Sequence, residues 1–414
     1  MSALQKSHGL QLLQGGQTYF PALIKAIDEA KAWVQLETYI FDLHGVGGEV
    51  AEALLRAGRR GVTVQVLVDG IGSEVLPAGW QQKMRDAGVH WCVYSPLGAG
   101  LGGFGLLVPD CWRRLHRKLC VIDQQRVFCG GINILDDFYD PNHGELPFAR
   151  FDFAVVVAGP LAIEAADALA LLWWRVQAGY SARQNHLVAA WEKFKAAGYG
   201  RRTGAQRVSS NAASVSSRPP PLPGARAALV LRDNLRNRNS IEKVYRQAIG
   251  QAHHEIMIAN AYFVPGGKLR RALVKAAKRG VKVTLLLQGK YEYFMQYHAA
   301  RPVYGALLEA GIEIHEYEAS FLHAKVAVID GHWVTVGSSN LDPLSLLLAH
   351  EANVVVEDKA FAEELRSSLC TAIAGHGRRL DPVAYSQRPL HQRMLSYVAY
   401  ALMRLAILVA GQRY

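Results

Sequence analysis

Short apolar runs alternate with amphipathic helical runs along most of the chain, and the alternation is written twice. "AIDEAKAWVQLETYIF" (26–41), the end of a helix followed by a strand, is echoed by "AIGQAHHEIMIANAYF" (248–263). "AEALLRAGRRGVTVQVLVDG" (51–70) is echoed by "RRALVKAAKRGVKVTLLLQG" (270–289), each a helix closed at "RG" and followed by a strand. "AGVHWCVY" (87–94) then matches "AGIEIHEY" (310–317). Each half predicts strand, helix, strand, a second helical stretch, strand and a final motif-bearing strand. Apolar β-branched strands between helices imply an α/β class: two duplicated α/β/α sandwich halves around mixed β-sheets, related by an approximate twofold. The expected divisions are a first half at 1–199, a linker at 200–227, a second half at 228–386 and an apolar tail at 387–414. The linker is assigned on its Ser, Pro, Gly and Arg content.

With 414 residues, half of them hydrophobic, the chain can bury a core in each half. A net charge of +11 favours an anionic partner, nucleic acid or a membrane surface. Five cysteines (Cys92, Cys111, Cys120, Cys129, Cys370) show no CxxC spacing and read as free thiols in a reducing compartment. The opening "MSALQKSHGLQLLQGG" holds no apolar run long enough for a signal peptide or a span. "MLSYVAYALMRLAILVA" (394–410) is almost wholly apolar around Arg404. It fits an interfacial helix, a helix packed on the core or, less well given the arginine, a span.

The chemistry lies in "HRKLCVIDQQRVFCGGIN" (116–133) and "HAKVAVIDGHWVTVGSSN" (323–340), which keep His, Lys, Asp, Gly and Asn in one register. Residues two apart share a face of a strand, so His116 projects with Lys118, and His323 with Lys325. The glycines are expected to make a tight turn that puts Asn133 and Asn340 at the rim. If the halves meet about a twofold, two imidazoles, two lysines and two amides share a pocket suited to a phosphodiester. One imidazole attacks phosphorus, and the other protonates the leaving alkoxide and later deprotonates the incoming alcohol. The lysines and amides stabilise the non-bridging oxygens, so neither a metal nor another cofactor is called for. Zinc is a poor alternative, because lysine is a weak ligand. Asp123 and Asp330 complete the catalytic motifs. Their odd offset suggests that they orient a strand end rather than touch substrate.

H-x-K-x4-D followed by G-[GS]-x-N, present twice, resembles the phospholipase D superfamily over nearly the whole chain. "RRLHRKLCVID", "NAYFVPG" and "HWVTVGSSNLDPLSLLLAHEANVVV" look most like its bacterial cardiolipin synthases. The resemblance implies a phosphatidyltransferase that uses phosphatidylglycerol as donor and acceptor, peripheral on an anionic phospholipid membrane, the bacterial cytoplasmic membrane. By the same analogy His116 is the nucleophile and His323 the acid/base. An acidic residue downstream of each motif is also implied, holding a catalytic histidine or lining the substrate site; Asp152 and Glu351 stand at that place. Gly131 departs from Ser338, so one half lacks a hydroxyl donor to substrate. The first half also carries sixteen extra residues before its motif, a Gly-rich apolar insert read as a lipid-facing lip. The rivals are phospholipid hydrolysis and a nuclease. A nuclease should interleave aromatic and basic residues, which only "KYEYFMQYHAARPVY" (290–304) approaches, so no nucleic-acid partner is expected.

Overall fold

The computed structural model describes residues 4–6, 9–95, 113–183, 225–233, 237–291, 294–342 and 349–409. The first half contributes β1 (Gly9–Gln14), β2 (Trp33–Thr38), β3 (Thr63–Asp69), β4 (Val89–Tyr94), β5 (Leu119–Ile122), β6 (Arg126–Gly130) and β7 (Phe153–Ala158). The second contributes β8 (Arg226–Arg232), β9 (Glu255–Asn260), β10 (Lys282–Gln288), β11 (Glu313–Tyr317), β12 (Lys325–Ile329), β13 (Trp333–Gly337) and β14 (Ala349–Glu357). The sheet orders, β1-β7-β6-β5-β2-β3-β4 and β8-β14-β13-β12-β9-β10-β11, are the same order twice. In each, β2–β3–β4 or β9–β10–β11 run parallel and the remaining neighbours run antiparallel. Short segments at Gln5–Lys6, Arg114–Leu115 and Gly377–Arg379 extend the second sheet to ten strands. The mixed, duplicated fold expected from the repeat is therefore present.

Helices α1 (Gly16–Glu29), α2 (Val46–Arg59) and α3 (Ala78–Asp86) cover the first sheet on one side, and α4 (Pro160–Arg183) lies on the other. Their counterparts are α5 (Ser240–Gln251), α6 (Gly267–Lys278), α7 (Phe294–Glu309) and α8 (Lys359–His376). The inner faces of the two sheets merge into one apolar core built from Leu119, Val155, Val326, Val354 and their neighbours. There α4 packs on β8 of the other half and α8 packs on β1, a reciprocal exchange that makes the relation an approximate twofold. Strands buried on both faces explain why "LCVI" and "VAVI" show no alternation. The "RG" endings of α2 and α6 are also explained. Gly61 and Gly280 adopt φ of +84° and +89°, and the next N–H (Val62, Val281) returns to the carbonyl of Ala57 or Ala276. That closes each helix with a left-handed glycine and turns the chain into the following strand.

Cys92, Cys120 and Cys129 are buried free thiols, as expected, and Cys370 is partly buried. The 290–304 stretch forms most of α7, with Tyr304 buried and Arg301 lying 4.3 Å from the Tyr297 ring centroid, which makes it a packing helix. At the C-terminus, α9 (Pro382–Ser386) precedes α10 (Leu390–Val409), which packs along α7 through Ala399 and Met403. Its other face exposes Met394, Leu395, Tyr397, Val398, Leu402 and Leu405. Among the described residues no helix is long and apolar enough to cross a membrane. The apolar insert (97–109) and most of the linker lie outside the described residues, and β8 already begins at Arg226.

Candidate active site

Each motif histidine stands just before a central antiparallel strand, at the end of the sheet where the parallel strands point their carboxyl termini. The residue before it is anchored by the last residue of the middle parallel strand, β3 or β10. Asp69 Oδ2 accepts the Leu115 N–H at 2.8 Å, and Gln288 Oε1 accepts the Leu322 N–H at 3.1 Å. The chain then crosses to the other half. Arg114–Leu115 pairs in parallel with Ala349–His350, and the His116 N–H donates to the His350 carbonyl at 3.0 Å. Symmetrically, Phe151 bridges Leu322, and the His323 N–H donates to the Phe151 carbonyl at 2.9 Å.

This exchange of backbone pairing sets the acids. Glu351 follows His350, and its carboxylate oxygens lie 3.0 and 3.1 Å from His116 Nδ1. Asp152 follows Phe151, and its Oδ2 lies 2.6 Å from His323 Nδ1. Each half therefore supplies the carboxylate that orients the other half's histidine. With Nδ1 donating to a carboxylate, Nε2 is the nitrogen left free on both rings. Lys118 and Lys325 are buried, and each ammonium donates to the carbonyl of the histidine two residues before it.

The electrostatics tie the six groups into one cluster. Burial lowers the pKa of His116, with Lys118 adding to the effect and Glu351 opposing it. Burial lowers His323 further, reinforced by Lys325 and Lys118. Burial also brings Lys118 down to about 7, with Glu351 opposing and Lys325 assisting. Asp152 is pushed up to about 7 by burial against the pull of Lys325. These charges act on one another, and an arriving phosphate diester would favour the charged form of Lys118.

Several expectations change. Asp123 and Asp330 stand apart from the histidines, at the far ends of β5 and β12. Asp123 accepts the N–H groups of Lys31, Ala32 and Trp33 at 2.7–2.9 Å, and Asp330 those of His253, His254 and Glu255 at 2.8–2.9 Å. Both sit in the left-handed region, at φ +51° and +50°, which aspartate tolerates. They cap the start of β2 and β9, so their place among catalytic residues is withdrawn and the strand-end role stands. Gly130 and Gly337 make no turn: they end β6 and β13. A Cβ at Gly130 would meet the Phe153 carbonyl oxygen at 2.4 Å, and one at Gly337 would meet Asn353 at 2.3 Å. Close approach of the next strand is what demands glycine there. Asn133 and Asn340 are buried rather than at a rim, and Asn133 Oδ1 accepts the Ile40 N–H at 3.2 Å. The Ser338 hydroxyl, expected to face substrate, donates to Glu351 Oε2 instead. Glu351 and Asp152 face histidines.

Two features escaped the sequence. The Tyr39 ring lies 5.0 Å from the His116 ring, with Lys118 Nζ 5.4 Å from its centroid. Its one signal was its place just past the carboxyl end of β2, where parallel sheets open their crevices. Behind the first motif, Arg117 lies 3.5 Å from Glu37 and 3.3 Å from His350, which reaches the Tyr94 hydroxyl at 3.2 Å. Burial pushes Glu37 up to about 7 despite Arg117. The twofold-related positions, Ala324, Ala259, Phe151 and Tyr317, are apolar or aromatic, with Phe151 stacked on Tyr317 at 5.2 Å.

Comparison with known proteins agrees with this geometry. The family described as "Cardiolipin synthase, PLD-like domain" matches residues 23–144 and 245–371, one match per half. Cardiolipin synthase B of Escherichia coli (strain K12) is 36% identical over 404 residues, covering 97% of this chain and 89% of that protein. A probable cardiolipin synthase of Bacillus subtilis is 27% identical over 386 residues, covering 93% of this chain and 69% of its own length. The crystal structure of phosphatidylserine synthase from Haemophilus influenzae shares the fold, with a TM-score of 0.65, 14% identity, and coverage of 97% of this chain and 95% of that one. With both halves matched and more than a third of the residues identical along nearly its whole length, the chain belongs to the cardiolipin synthases with phospholipase D-like domains.

Proposed function

We propose that this enzyme, a phosphatidyltransferase, joins two phosphatidylglycerol molecules into cardiolipin and glycerol. The observation that supports it best is the pair of crossed dyads, His116–Glu351 and His323–Asp152, sharing a cluster with Lys118 and Lys325. His116 Nε2 attacks the donor phosphorus. The P–O bond to glycerol breaks, and the leaving oxygen takes a proton from His323. A second phosphatidylglycerol hydroxyl then returns a proton to His323 as its oxygen attacks the phosphohistidine, forming the new P–O bond and releasing His116. Lys118 and Lys325 stabilise charge on the non-bridging oxygens. One phosphodiester replaces another, so no energy source is consumed.

The lipid acceptor calls for a membrane surface. The net charge of +11 favours an anionic one. The exposed side of α10, held on the fold by Ala399 and Met403, is an apolar strip suited to lie among headgroups at the cytoplasmic face of the bacterial membrane. Purified protein incubated with phosphatidylglycerol vesicles and a metal chelator, with lipids read by mass spectrometry, tests the assignment. Cardiolipin with glycerol is the expected result, reversed by excess glycerol. Dominant phosphatidic acid would make the enzyme a hydrolase, and activity that appears only on adding a divalent metal would remove the metal-free mechanism.

A further inference from the structure

The two dyads differ in a way that the repeat does not require. In the first half, the N–H of the residue after the acid donates directly to it: Phe153 N–H to Asp152 Oδ1 at 2.8 Å. In the second half, the matching N–H, of Ala352, donates at 3.1 Å to the Ser338 hydroxyl, and that hydroxyl donates to Glu351 Oε2. A serine hydroxyl has thus been inserted between amide and carboxylate. Glutamate is one methylene longer than aspartate, and the hydroxyl fills the added length. The counterpart of Ser338 is Gly131, and a Cβ there would lie 2.3 Å from Asp152 Oδ1 and 2.6 Å from Oδ2. Real Cβ atoms do not approach a carboxylate so closely, so the shorter acid occupies the volume a side chain would need.

We propose that Ser338 is a positioning residue for His116, acting through Glu351, and that Gly131 is its counterpart for His323, an empty volume that admits Asp152. Acid length and the residue facing it form a matched pair in each half: aspartate with glycine, glutamate with serine. All these groups are buried. An acid of the wrong length therefore leaves an N–H or a carboxylate oxygen without its partner, or forces the carboxylate away from the imidazole. This rests on the two-histidine reading above.

The test is two double-mutant cycles on the full chain, with cardiolipin formation and thermal unfolding measured for each variant. In the second half, Ser338→Gly and Glu351→Asp should each lower kcat by about 100-fold with KM little changed. Together they rebuild the aspartate–glycine arrangement and should return kcat to within about 10-fold of the parent. In the first half, Gly131→Ser should lose activity, and Gly131→Ser with Asp152→Glu should recover part of it. If Gly131→Ser does not fold, the second-half cycle decides alone, because it only removes atoms. Losses that multiply in the double variants, or a fully active Ser338→Gly, would overturn the proposal. Failure of the two-histidine reading shows separately, as turnover surviving His116→Ala or His323→Ala.

Discussion

Replacing Lys118 by methionine should make the protein more stable and catalytically dead. Lys118 is 3% exposed, and burial, against the pull of Glu351, brings its pKa from 10.5 to about 7. At about 1.4 kcal/mol per pKa unit, holding this ammonium in the folded state costs at most about 5 kcal/mol at pH 7 or below. Methionine keeps the length of the stem without the charge. The variant loses the ammonium's hydrogen bond to the His116 carbonyl, worth about 1 kcal/mol. A net gain of about 1–4 kcal/mol remains, because burial outweighs the attraction of Glu351 for this ammonium. The sign with pH follows from the depressed pKa. Between about 7 and 10.5 the unfolded chain binds the proton and the native chain does not, so the penalty fades as pH rises. The gain from the substitution should therefore be full below pH 7 and vanish near 10.5. Denaturant unfolding of parent and variant at pH 6.5 and 9.5 measures this, and kcat should fall by about 100- to 1,000-fold, as for loss of one oxyanion donor. A variant less stable than the parent at pH 6.5 would refute the reasoning, and so would one with a gain that grows with pH.

His116→Ala and His323→Ala should each abolish turnover, and the double variant should lose little more; a phosphohistidine trapped by acid quench should map to His116 alone. Because His116 must be neutral to attack and burial holds it below its usual pKa, the acid limb of kcat/KM should lie below pH 6.5; the proton that His323 delivers is shared with Asp152, which burial pushes up to about 7. The alkaline limb should lie near 7, where Lys118 and Asp152 titrate, and should move up in the kcat profile as bound phosphate recharges the lysine. An alkaline limb at the same pH in both profiles would count against Lys118 meeting the phosphate. Replacing Leu395, Val398, Leu402 and Leu405 by serine should weaken flotation with anionic liposomes at high salt, where the screened charge term is small, while leaving the unfolding temperature within a few degrees. Unchanged flotation would remove α10 as the anchor.

The duplication, the order of elements and the two His-Lys pairs that the fold brings together were all legible in the chain, because each depends on local regularity. Two-residue spacing puts His and Lys together on a strand, unbroken apolar runs mark strands buried on both faces, and a glycine after Arg closes a helix. The repeat then shows that one site must be built twice. What the linear pattern could not carry was which acid serves which histidine. His116 and Glu351 are separated by 235 residues, and their meeting depends on how two preformed sheets dock and trade short backbone pairings at their ends. Strand pairing within each sheet decides why glycine stands at 131 and serine at 338, since each faces a carboxylate from a neighbouring strand rather than a neighbour in sequence. It also separates the motif aspartates from the chemistry: in the sequence they move with the histidines, but the strand between carries them to the opposite end of the sheet. Spacing along a strand records which residues share its face. Only packing between strands and halves determines what each of them meets there.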